Sequence, residues 1–103
     1  LGLTPKTLDR RTAQRLGLTD GGGVLVVNMI RNSPAHRAGL APRDIILKWA
    51  GESVRGRTEL VDKVQATAIG SEVVVVILRQ GKQYRASVTI QERPANIRLK
   101  GVL

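Results

Sequence analysis

The stretch from Glu72 to Gln91 constrains this chain more than any other. Val73 to Leu78 is an unbroken apolar run rich in β-branched residues, which reads as a strand. It falls far short of the ~20 apolar residues that a bilayer-crossing helix needs. Gln80-Gly81 follows as a hairpin turn, and Lys82 to Gln91 then alternates. Tyr84, Ala86, Val88 and Ile90 fall on one side of that second strand, and Gln83, Arg85, Ser87 and Thr89 on the other. One face is expected buried and the other wet.

Turn and cap residues divide the rest into short elements. Leu3 to Leu8 reads as a weak strand, Asp9 caps a helix running through Ala13 to Leu16, and Gly17 stops it. Gly21, Gly22 and Gly23 read as a flexible loop, because no Lys-Ser or Lys-Thr pair follows and Val24 to Ile30 is a β-branched strand. Ser33-Pro34 starts a helix that Gly39 ends. Asp44 to Trp49 is a buried strand, Gly51 a tight turn, and Arg57 to Thr67 a longer helix with Leu60, Val61 and Val64 on one face. The sum is an α+β domain, a compact partial β-barrel or sandwich of five to six short, mostly antiparallel strands with two to three helices. Residues 1–93 form the domain, and 94–103 a C-terminal tail or the start of a linker.

With 103 residues, 42% hydrophobic and 24% charged, the chain suits one folded core. The formal net charge of +9 raises the question of nucleic acid, but the cations are scattered and Trp49 and Tyr84 are the only aromatic residues available for stacking. No nucleic-acid partner is expected. Cysteine is absent and His36 is the sole histidine, which leaves a transition-metal site without ligands and a Ser-His-Asp relay without its carboxylate. The eight carboxylates are dispersed, and Glu59 and Asp62 beside Lys63 read as ordinary surface charge. No catalytic residue, metal or cofactor is expected in this chain. It opens on Leu1 with no leader, which reads as an excised or processed piece of a longer protein.

Recognition is the remaining class. Leu1-Gly2-Leu3, Asn32-Ser33-Pro34-Ala35 with Arg37-Ala38-Gly39-Leu40, Pro42-Arg43-Asp44-Ile45-Ile46 and Gly51 with Val54, followed by a helix and two strands, resemble a PDZ domain. The order of elements is similar to the PDZ modules of HtrA/Deg-type serine proteases. Two positions depart from the family pattern: Arg43 stands where glycine is usual, and Ala50 where asparagine is usual. Both affect turns rather than the groove.

The resemblance implies that a partner's free C-terminus, or an unfolded protein segment, adds to the domain as a strand. Leu1-Gly2-Leu3 would hold the carboxylate on its amides, with Thr4 continuing the receiving strand. Val61 and Val64 would close an apolar pocket from the helix side, with Arg57 at its rim and Leu60 turned toward the core. Pro5 lies at or beside a position whose amide would bond the ligand, so one ladder bond is expected to be missing. The apolar end Gly101-Val102-Leu103 is itself a candidate ligand for a neighbouring copy. The implied role is substrate recognition or regulation for a serine protease in the periplasm or another extracytoplasmic space, its triad outside this chain and its parent an oligomer. The alternatives are a PDZ scaffold of a membrane-tethered, non-proteolytic assembly factor and a basic surface-binding domain.

Overall fold

The computed structural model of the chain describes residues 2–18 and 22–91. The order is β1 (Leu3–Thr7), α1 (Arg10–Arg15), β2 (Val24–Met29), α2 (Pro34–Arg37), β3 (Ile45–Trp49), β4 (Glu52–Ser53), α3 (Arg57–Gln65), β5 (Glu72–Arg79) and β6 (Lys82–Thr89). The caps act as expected. Asp9 Oδ1 accepts from the Thr12 amide at 2.7 Å and Ser33 Oγ from the His36 amide at 3.2 Å. Gly17 and Gly39 take φ values of 78° and 91° just past their helices, the left-handed conformation that ends a helix without a Cβ clash.

Helix α3 ends two residues earlier than the sequence suggests. Thr67 is drawn into tertiary structure instead: its hydroxyl donates to the Lys63 carbonyl at 2.7 Å and accepts from Trp49 Nε1 at 3.2 Å. β6 likewise stops at Thr89 rather than Gln91.

All strand pairs are antiparallel, in the order β1-β2-β3-β5-β6, with β4 added to β3. The sheet is open, with β1 and β6 at its edges. Each face carries its own core. Val24, Val26, Ile46, Trp49, Val75, Ile77 and Val88 pack on one face with Ala35 of α2 and Leu60 of α3. On the other, Ile45 and Leu78 pack with Leu8 and with Ala13 of α1. The alternation in β6 follows the cross-strand pairs Ile77–Tyr84, Val75–Ala86 and Val73–Val88. Only its second half is buried, and Tyr84 is half-exposed with the Arg79 guanidinium 5.8 Å from its ring centre.

One sequence reading is corrected. Gly22 and Gly23 are buried, and a Cβ on Gly23 would lie 2.8 Å from Ile45 Cγ2 and 2.9 Å from the Ile46 carbonyl oxygen. Close approach of the β2 entrance to β3, not loop freedom, therefore demands glycine there. Lys63 on α3 reaches Glu52 on β4 at 3.3 Å.

Candidate functional site: a strand edge beside a helix

The site begins with the backbone of β1. Gly2 accepts from the Ile30 amide at 2.7 Å and Leu8 donates to Gly23 at 3.1 Å, so the even-numbered residues turn their peptide groups toward β2. Leu3, Pro5 and Thr7 consequently turn theirs to the open edge. The register slips between Thr4–Asn28 and Pro5–Val26, leaving Val27 as an extra residue on β2. The parity of β1 is unchanged by it, because the insertion lies on the partner strand.

Side chains follow the same parity. Leu3, Pro5 and Thr7 share the face on which α3 lies, whereas Thr4 and Lys6 point to the opposite face. α3 packs alongside β1 and anchors itself through Leu60, which is 1% exposed. Leu3 and Val64 are both half-buried against the margin of the core that holds Leu60. Val61 is half-buried, and Arg57 is exposed at the first position of the helix. Leu3 thus lies on β1, and Arg57, Val61 and Val64 lie on α3, the helix that contacts β1. Thr4 contributes no edge-facing amide, and its side chain faces away from α3.

Gly2 directly precedes β1 with φ 88°. A Cβ there would sit 2.1 Å from Ser33 Cβ and 2.5 Å from Ser33 Oγ. The position therefore requires glycine for two reasons, its left-handed backbone and its contact with the residue that caps α2. Leu1, Val102 and Leu103 lie outside the described residues, as does the 93/94 boundary.

The far end of β1 makes a contact that the sequence does not reveal. Thr7 Oγ1 accepts a hydrogen bond from the Arg57 amide at 2.9 Å, which satisfies a free N–H at the start of α3. Gly56, the residue before the helix, provides no side-chain cap of its own. Just beyond, the Thr12 amide and hydroxyl hold the exposed Asp9 carboxyl below its ordinary value of 3.8, assisted by the charges of Arg15 and Lys6.

Among the described residues, the arrangement offers an unpaired strand edge with one amide removed by proline and half-buried apolar residues on the neighbouring helix. A family model described as PDZ domain matches residues 1–90. A probable periplasmic serine endoprotease, DegP-like, of Chlamydia trachomatis serovar D is 32% identical over 94 residues, covering 91% of this chain and 19% of the relative. The putative serine protease HhoB of a Synechocystis species is 37% identical over 89 residues, covering 84% of this chain and 21% of the relative. The chain thus spans about a fifth of the curated relatives it matches. Among solved structures, the HtrA-type protease AlgW with decapeptide superposes with a TM-score of 0.77 at 31% identity, over 91% of this chain and 29% of that one. The HtrA3 PDZ domain bound to a phage-derived ligand (FGRWV) shares the fold, with a TM-score of 0.72 at 22% identity over 86% of this chain and 81% of that one.

Proposed function

The chain belongs to the PDZ domain family, and from that membership we propose that it recognises C-terminal or extended apolar segments by strand addition, as the substrate-recognition or regulatory domain of an HtrA/Deg-like serine protease. The observation that carries this reading is the parity of β1: Leu3, Pro5 and Thr7 present their peptide groups to an edge flanked by α3. A strand laid there gains main-chain hydrogen bonds while its last side chain lies between Leu3 and Val64. Relatives and solved neighbours of the same type include periplasmic proteases and peptide complexes, which supports an extracytoplasmic address and a peptide partner. The proteolytic residues would lie in the part of the protein that this chain does not span.

The test compares peptides ending in Val, Leu or Ile as free acids and as C-terminal amides by calorimetry. The acids should bind at around micromolar affinity, about −8 kcal/mol, because the contact is small and Pro5 removes one donor. Val64→Glu should abolish this binding while leaving the circular dichroism spectrum unchanged, since Val64 borders the core without lying inside it. Equal affinity for acid and amide would reject capture of the carboxylate at Gly2 and Leu3.

A further inference from the structure

The open edge of β1 is only five residues long and is closed at one end. The Thr7–Arg57 hydrogen bond joins strand to helix, and a Cβ on Gly56 would already lie 3.2 Å from Thr7 Oγ1. A ligand strand antiparallel to β1, its carboxylate at Gly2 and Leu3, meets this seam after about 13 Å, the rise of four residues. It must then leave the sheet.

The surface at that exit is positively charged. Lys6 precedes the seam on β1, Arg55 and Arg57 flank Gly56, and Arg10 opens α1 just beyond; all four are exposed. Among the described residues, two acidic side chains share this end. Asp9 commits its carboxylate to the Thr12 amide, and Glu59 is half-buried in the first turn of α3. Among the described residues the ion pairs are Lys63–Glu52 and Arg79–Asp44, so none of the four exit cations is ion-paired within them.

We propose that the groove selects ligands with an apolar C-terminus preceded by acidic residues at the fourth to sixth positions from the end, where the chain leaves the sheet past Arg55 and Arg57 at the start of α3, with Lys6 on the opposite face of the same strand end. The proposal rests on the peptide-binding reading of the same strand edge. The short edge recognises about three residues by main-chain bonds and pocket contacts, and the exit adds a selection by charge that acts through solvent and weakens with salt.

Calorimetry on this chain with four synthetic peptides tests it. All share the same three apolar C-terminal residues: one is the tripeptide alone, and three are heptapeptides with Glu, Gln or Lys at the fourth to sixth positions from the end. The tripeptide should bind. The Glu peptide should bind at least about threefold more tightly than the Gln peptide at low salt and the Lys peptide more weakly still, the differences vanishing near about 0.5 M salt. The combined substitution Lys6→Gln, Arg55→Gln and Arg57→Gln should remove the discrimination between Glu and Gln. Equal binding of the Glu and Gln peptides at low salt, with the tripeptide still bound, would overturn the charged exit alone, as would a Glu preference that survives the triple substitution. Failure of every peptide, the tripeptide included, would overturn the groove reading and the exit with it.

Discussion

Arg79 holds the carboxylate of Asp44 by two parallel hydrogen bonds, Nε to Oδ1 at 2.8 Å and Nη2 to Oδ2 at 2.7 Å. Asp44 is 1% exposed and also accepts from the Ala41 amide at 2.8 Å, while Arg79 Nη2 donates to the Gly39 carbonyl at 2.8 Å. The pair joins the turn before β3 to the end of β5, and this contact with the carboxylate raises the Arg79 pKa.

Removing the guanidinium should strand a buried charge. Arg79→Ala is expected to cost about 2 kcal/mol in urea denaturation, less than the roughly 3–5 kcal/mol of a fully buried pair because the Arg79 side chain is 37% exposed. Arg79→Lys should recover part of the loss, keeping the charge without the fork. A loss below about 0.5 kcal/mol for Arg79→Ala would mean the pair behaves as a surface contact.

Two turns carry strain that substitution can relieve. Arg43 has φ 78° and Ala50 φ 52°, at the two positions where the family pattern has glycine and asparagine. Ala50 and Gly51 form the two-residue loop between Trp49 and Glu52, in which both central residues need a positive φ. Arg43→Gly and Ala50→Gly should each stabilise the domain by about 0.5–1 kcal/mol, read as a higher melting temperature. A lowered melting temperature would contradict the strain argument.

Gly2 and Gly17 separate strain from collision. Both have positive φ, but around a Cβ on Gly17 nothing lies within 4 Å, whereas one on Gly2 would collide with Ser33. Gly17→Ala should cost about 1 kcal/mol with peptide binding intact. Gly2→Ala should cost more and also weaken binding; equal losses for the two would show that Ser33 moves aside freely.

Acid should loosen α1 first. The folded state lowers the Asp9 pKa from 3.8, so its stabilising contribution is complete above that value and is lost as pH falls through the lower, folded-state value. Amide exchange in α1 should accelerate below about pH 3.8 in the parent and much less in Asp9→Asn, which caps without titrating. An identical acid response in both would remove Asp9 as the cause.

Features encoded locally were legible in the sequence. Asp9, Ser33-Pro34 and the glycines at 17 and 39 act within one helical turn of their own position, and the β5–β6 hairpin is written in adjacent residues. The features missed are pairings between distant segments: Arg79 with Asp44, Thr7 with Arg57, Trp49 with Thr67, and Gly23 with the body of Ile45. None leaves a periodic trace, because each joins residues whose spacing in the chain follows from the sheet order rather than from a helical or extended repeat. At the site, the pattern exposed the apolar helix face, but the parity of β1 required the hydrogen bonds from Ile30 and Leu8.

Pro5 stands in the middle of an edge that any extended chain could join, including another copy of β1. Two such edges meeting antiparallel would each bring a proline to the seam, and the shared ladder would lack two donors within five residues. A visiting peptide without proline meets the defect only once. The residue that would weaken a ligand's grip on this edge would thus weaken pairing between two copies more, biasing a bare strand toward foreign chains and away from its own kind.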